Sequence, residues 1–418
     1  MPLPKRTRLA DGVFLTELKD SRFKRQRITA VLLLPERRDE TAMSALLPYL
    51  TERSTAQCRT PAALQRRLMR LYGASYSCTS DKSVGRRYIT FTLDGPRGRF
   101  LPDPAADREY LGFLLSAMLQ PDMPGGCFGS EAVAIEKQKL GEAIAASYND
   151  KRVYCTRRGL AAFYGEGDPR GFDPLGSADE LPAIDAARLS AHFRHFLADA
   201  HIELFALNTE IPDGFAAGLP PRTEVSFPEL PAVAPCGAVG RVAIEDDVTQ
   251  EVETLLFTAG RRLNERERAA FRLGAALLGG IPTSRLFTNV REKQSLCYYC
   301  SCSPDVLNAA MGVTTGVSHE NAEKAERSVL HELEKLTDSI SDRELNETLL
   351  LMHNAHLEVG ENAGRLCGWY LDRQIVGLPA RTPAEELELL QSITKQEIRD
   401  VMRLFTPHTV CRLGRRAG

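Results

Sequence analysis

Two imidazoles three residues apart, in His353-Asn-Ala-His356-Leu-Glu358, are the side chains whose types and spacing come nearest to a metal site. On a helix such an i, i+3 pair shares a face and can bind a divalent cation. A third ligand and a general base are not evident beside it, so the competing reading is a solvated helix face. Cys297, Cys300 and Cys302 are also close together. On a regular strand residues 297 and 300 point to opposite faces, which favours reduced core thiols over a metal. His192 and His195 fall on a predicted helix, at its surface or boundary. No Gly-x-Ser-x-Gly elbow or phosphate-cradling glycine loop is present. Gly279-Gly280 reads as a tight approach to the helix that follows.

The elements that must position these residues come from an internal repeat. Ile184 to Phe196 (IDAARLSAHFRHF) and Ile393 to Phe405 (ITKQEIRDVMRLF) coincide at most of their apolar positions. In each, Asp185 or Thr394 stands where its side-chain oxygen caps a helix. Two halves of similar length end in these copies, which predicts a duplicated α+β unit: residues 1–211 and 241–418, joined by a Pro- and Gly-rich linker at 212–240. In the first half Thr60-Pro61 opens a helix closed by Gly73, strands follow at 76–79 and 88–93, and a long helix spans 131–147. The second half predicts a strand at 252–257, helices at 265–278 (capped by Asn264) and 284–292, strands at 298–303 and 312–317, and long helices at 320–336 and 342–359. Long helices mixed with strands suggest sheets covered on one face.

At 418 residues the chain suits two domains of about 200 residues each. A net charge of -2 gives no global positive field, so nucleic acid is not an expected partner. No apolar run approaches the roughly 20 residues of a membrane span, so no membrane is expected either. Arg66, Arg67 and Arg70, on a predicted helix near Arg86 and Arg87, read as a solvated face, with an acidic partner surface as the alternative. The opening residues MPLPKRTRLADGVFL lack an apolar signal core, and ten scattered cysteines do not resemble a disulfide framework. Both point to a cytoplasmic location.

The run Gly279 to Tyr299 (GGIPTSRLFTNVREKQSLCYY) closely resembles the signature of the C-terminal repeat in the pitrilysin/insulinase metallopeptidase family, which includes mitochondrial processing peptidase. The resemblance implies a fold of two homologous α+β repeats over essentially the whole chain, each forming one wall of a chamber. It also implies that Arg291 and Tyr298, seven residues apart, grip the backbone of a substrate. A guanidinium is a fixed fork of donors for a peptide carbonyl, and a phenol can donate to a carbonyl becoming an oxyanion. The alternative is that Arg291 pairs with Glu292 or a neighbouring acid while Tyr298 packs in a strand. Ser295 departs from the family pattern, which usually has Gly before the Leu, and this alters the local turn.

Active relatives carry His-x-x-Glu-His on a helix of the first repeat, and alignment places that site at Leu46-Leu47-Pro48-Tyr49-Leu50. None of these side chains can bind zinc, Pro48 removes a backbone donor, and residues 1–191 contain no histidine. The family's third ligand falls at Ala143, one past Glu142. The resemblance therefore implies a zinc-less subunit of a heterodimeric peptidase, inactive alone, whose zinc sits in a paralogous partner subunit and whose other partner is a peptide or unfolded segment. A homodimer is also possible. The pattern is similar to inactive-type bacterial members associated with modification of elongation factor P. The alternative is a non-peptidase scaffold or peptide-binding protein of the same fold.

Overall fold

Residues 25–35 (RQRITAVLLLP) and 251–258 (EVETLLFT) bury almost every side chain. A strand apolar on both faces must sit inside a sheet that is covered on both. The computed structural model, which describes residues 3–103, 106–212 and 214–415, places these two strands at the middle of two sheets. In chain order the strands are β1 (Lys5–Ala10), β2 (Val13–Leu18), β3 (Arg25–Pro35), β4 (Ser75–Ser83), β5 (Arg86–Pro96), β6 (His201–Leu207), β7 (Gly240–Glu245), β8 (Glu251–Thr258), β9 (Cys297–Asp305), β10 (Ala310–Val317) and β11 (Thr406–Gly414). The helices are α1 (Thr41–Thr51), α2 (Pro61–Arg70), α3 (Ala106–Leu119), α4 (Ser130–Ser147), α5 (Lys151–Tyr164), α6 (Ala186–Asp199), α7 (Glu265–Ala275), α8 (Ala322–Asp338), α9 (Asp342–Glu361), α10 (Ala363–Ile375), α11 (Pro383–Gln391) and α12 (Lys395–Met402).

The sheet orders are β1-β2-β6-β3-β5-β4 and β7-β11-β8-β10-β9. In the first, β6 runs parallel to β2 and antiparallel to β3; in the second, β11 runs parallel to β7 and antiparallel to β8. The capped repeat helices α6 and α12 lead into these two equivalent strands, so the duplication seen in the apolar spacing is a duplication of topology. Asp185 and Thr394 accept hydrogen bonds from the backbone N–H groups of Arg188 and Glu397, as N-caps do.

The chain divides into two compact units that are not contiguous in sequence: residues 1–145, 172–228 and 359–382 form one, and residues 146–171, 229–358 and 383–418 the other. This differs from the contiguous split at a 212–240 linker because one helix from each half is exchanged. In the first unit, Leu366, Cys367, Tyr370 and Leu371 of α10 pack on Val31, Leu33 and Phe205. In the second, Cys155 and Phe163 of α5 pack on Val252, Leu256 and Cys411. Each sheet thus has a thick helical layer on one face and a single borrowed helix on the other, which corrects the expectation of one-sided cover.

Two further expectations change. Arg87 is not part of a surface patch: it is 2% exposed, its guanidinium donates to both Glu36 carboxylate oxygens at 2.6 and 2.9 Å, and it also donates to the Pro174 carbonyl. The Thr41 hydroxyl donates to Glu36 as well, fixing the start of α1. Arg66 and Arg70 are exposed as read, while Arg67 pairs with Glu109. His192 is buried rather than at the surface, 2.9 Å from the Ser44 hydroxyl of α1, while His195 is exposed beside Asp199.

Burial pushes the His192 imidazole down to about 4, against about 6.5 for an unfolded histidine. The folded chain therefore binds fewer protons than the unfolded one in that interval. His192 contributes stability that is present above pH 6.5 and lost as the pH falls toward 4. Urea unfolding midpoints should drop more steeply between about pH 7 and 5 for the wild type than for His192→Gln.

Candidate functional site

The segment from Asn264 to Tyr299 is built in four local steps. Asn264 and Glu267 form a reciprocal capping box that starts α7. Beyond Ala275 the helix widens by one residue per turn through Ala276–Gly280, instead of continuing regularly to 278. A Cβ at Gly279 would lie 2.8 Å from the Cys302 backbone nitrogen, so this close approach needs glycine. After a short turn, Leu286–Lys293 forms a second wide-turn helix where a regular one over 284–292 was expected.

That helix is clamped on its buried side. Leu286 and Val290 enter the core, Arg285 bonds Glu344 at 2.8 Å and the Ser339 carbonyl at 2.7 Å, and Asn289 donates to Glu332 at 2.7 Å. Arg291 is left on the exposed side, its guanidinium 4.6 Å from the centre of the Phe287 ring. The helix ends with Leu296 N–H donating to the Val290 carbonyl, across Ser295 at φ 51°. Ser295, in place of the expected glycine, adopts the left-handed conformation that glycine favours. The serine bears the strain of that conformation.

Strand β9 then begins at the free edge of its sheet. Its register against β10 pairs Tyr299 with Gly316 and Cys297 with Val317, which leaves Tyr298 without an opposite residue. This is a β-bulge, a device that re-aims a side chain, and Tyr298 is 57% exposed. Among the described residues neither the Arg291 nor the Tyr298 side chain makes a hydrogen bond or ion pair, so Arg291 does not pair with Glu292. The bulge also corrects the reading of the cysteines. Cys297, Cys300 and Cys302 all face one side and join the same core cluster.

Sequence reading missed the residues of the borrowed helix. Arg152 of α5 donates to the Ser301 hydroxyl at 2.9 Å and lies 5.1 Å from the Tyr299 ring centre, bracing the outer face of β9. Farther along, Leu160 and Phe163 of α5 with Leu256, Ala310 and Met311 line an apolar groove of about 370 Å³. No local signal marks these partners, since the contact joins residues about 150 positions apart.

In the first unit, the positions where zinc ligands were sought are packing residues. Leu46, Leu47 and Leu50 of α1 are buried, Tyr49 is half-buried, and Pro48 lies within the helix. Ala143 of α4 is half-buried, and Glu142 beside it is exposed and bonded by Gln138. These side chains do not fit a metal. On α9, His356 contacts the Met352 carbonyl at 2.6 Å and His353 is half-buried. Among the described residues no group of three or more His, Cys, Asp or Glu is arranged around a common metal position, all ten cysteines are free, and no helix is long and apolar enough to cross a membrane.

Residues 217–351 match the family model for the peptidase M16 inactive domain. The chain is 25% identical, over 91% of each protein, to the probable inactive metalloprotease YmfF of Bacillus subtilis. In sequence the chain is thus similar to inactive-type M16 peptidases. Two solved structures share the fold along the whole chain. A conserved protein from Enterococcus faecalis superposes with a TM-score of 0.92 at 21% identity, covering 100% of both chains. A peptidase M16 inactive domain from Pseudomonas fluorescens superposes with a TM-score of 0.79 at 15% identity, covering 99% of both. The resemblance carried by Gly279–Tyr299 is therefore borne out for family type and fold. Nothing in these matches bears on elongation factor P.

The strain at Ser295 is measurable. A non-glycine residue in the left-handed region costs roughly 1–2 kcal/mol, offset in part by the roughly 0.4–1 kcal/mol that an unfolded glycine gains in freedom. Ser295→Gly should raise stability by up to about 1.5 kcal/mol, whereas Ser295→Val should lower it, both read by chemical denaturation.

Proposed function

We propose that this chain is the non-catalytic, substrate-binding subunit of a heterodimeric zinc peptidase, supplying Arg291 and Tyr298 to a chamber whose zinc belongs to a paralogous partner. The observation that carries this reading is the presentation of the pair. Both side chains are exposed and make no ion pair among the described residues, Arg291 over the Phe287 ring on the helix that leads into β9 and Tyr298 at the bulge on that strand's free edge.

The free edge of β9 suits an extended peptide, which would add as a further strand through main-chain hydrogen bonds. Held this way, a substrate carbonyl takes the forked donors of Arg291. The Tyr298 phenol donates to a carbonyl oxygen, a bond that strengthens as negative charge develops there. Zinc in the partner would supply an activated water, and the side chains of α1 in this chain offer no ligand for it. The work of this chain is to hold, align and polarise the peptide.

The test is to purify the chain alone and with a zinc-bearing paralogue, then measure zinc content and cleavage of a fluorogenic peptide. The expected result is that the mixture cleaves and neither chain does alone. In the mixture Tyr298→Phe should lower kcat by about 10²-fold or more, while Arg291→Ala should act chiefly on KM. Equal cleavage by the partner alone, or a mixture indifferent to both substitutions, would sink the proposal. Peptide binding without cleavage by any mixture would instead select the non-peptidase scaffold reading.

A further inference from the structure

The bulged end of β9 reads Cys-Tyr-Tyr-Cys, with the exposed Tyr298 between its two cysteines. In a regular strand residues 297 and 300 would face opposite sides. The bulge changes this: Cys297 stands opposite Val317 and Cys300 opposite Thr315, two residues apart on β10 and therefore on one face. Three residue steps of β9 cover the length of two, about 7 Å, and the excess chain is the bulge itself. Both thiols are 7% exposed and lie in one core cluster.

We propose that Cys297 and Cys300 are a redox-modification site that closes a reversible disulfide across the Tyr298 bulge. A disulfide joins Cα atoms about 4.4–6.8 Å apart, at or just inside the spacing this register imposes. Closing the bond draws the two positions together, and the slack residues between them must pucker further outward. Cys302 is next on the same face but is separated from Cys300 by regular strand with no slack; its sulfur lies 3.9 Å from the Met311 sulfur.

The two thiols are suited to different steps. A hydrogen bond from Cys300, with the positive field of Arg291 assisting and burial opposing, holds the Cys297 thiol below the usual thiol range. Donating that bond, together with burial, pushes the Cys300 thiol up. Cys297 is thus the attacking sulfur and Cys300 the resolving one.

With hydrogen peroxide as oxidant, the Cys297 thiolate attacks one peroxide oxygen. The O–O bond breaks, the leaving hydroxide takes up a proton as water, and Cys297 becomes a sulfenic acid. The Cys300 sulfur then attacks the Cys297 sulfur, the S–O bond breaks, a second water leaves with the Cys300 proton, and the S–S bond forms. Two thiols lose two electrons in total and one peroxide is reduced to two waters. Strained disulfides of this kind are readily re-reduced by thiols. The consequence for substrate, loss of Tyr298 from its gripping position, rests on the function proposed above; the modification itself does not.

The test uses the full chain, treated with hydrogen peroxide under native conditions, alkylated, digested and analysed by mass spectrometry. Cys297, Cys300 and Cys302 fall together on the peptide between Lys293 and Lys324. The expected product has lost two hydrogens, carries alkylation at Cys302 alone, and reverts with dithiothreitol. Cys302→Ser should leave the bond unchanged, and Cys300→Ser should instead accumulate a Cys297 sulfenic acid that a 1,3-dione reagent traps. Full alkylation of Cys297 and Cys300 after peroxide, a bond that includes Cys302, or a bond that forms only once circular dichroism shows unfolding would overturn the proposal. Because the readout is a mass, its failure would be distinct from failure of the peptidase reading, which is read by cleavage.

Discussion

The register between β9 and β10 is the constraint on which the exposed site depends. One residue more on β9 than on its partner leaves Tyr298 without a neighbour, turns its ring to solvent and brings Cys297 and Cys300 to one face. A bulge of this kind persists only if its flanks are held. Here the preceding turn is closed by Leu296 on Val290, the helix before it is clamped by the Arg285–Glu344 and Asn289–Glu332 contacts, and the outer face of β9 is braced by Arg152. The strain borne by Ser295 belongs to the same arrangement.

The two units share a topology and use it in opposite ways. Strand β4 holds the edge position in the first sheet that β9 holds in the second, yet its pairing with β5 runs from Ser75 to Ser83 without a register shift. In the first unit polar groups are absorbed by the core: Arg87 and Glu36 neutralise each other away from water, and His192 is committed to Ser44. Helix α1, where active relatives need ligands, is packed with leucines. In the second unit a cation and a phenol stay exposed, the Arg291 guanidinium over the Phe287 ring and Tyr298 on the bulge, with no ion pair or side-chain hydrogen bond among the described residues. The function proposed above rests on this contrast between a leucine-packed α1 and an exposed Arg291 and Tyr298.

What the sequence made legible was local. Asn264, Thr60, Asp185 and Thr394 each cap the helix they were expected to cap, because a cap is decided within a few residues. The duplication was visible because apolar spacing survives when identities do not. What stayed hidden depends on partners distant in sequence. CYYCSC alternates plausibly as a regular strand, and only the pairing with β10 reveals the bulge. Apolar stripes on α5 and α10 announce a buried face but not which sheet buries it, so the helix exchange could not be read. Arg87 and His192 are polar types that belong at the surface by composition; they are inside because Glu36, the Pro174 carbonyl and Ser44 complete their hydrogen bonding.

Whether β9 presents a substrate-holding edge, as proposed, is tested most directly by amide hydrogen exchange on the full chain mixed with a candidate zinc-bearing paralogue. The measurement compares the mixture with and without an extended peptide whose scissile bond is replaced by a non-hydrolysable one. The account predicts slowed exchange along Cys297–Asp305, strongest beside Tyr298, and its loss in Arg291→Ala. Unchanged exchange along β9 while the peptide is bound would contradict it.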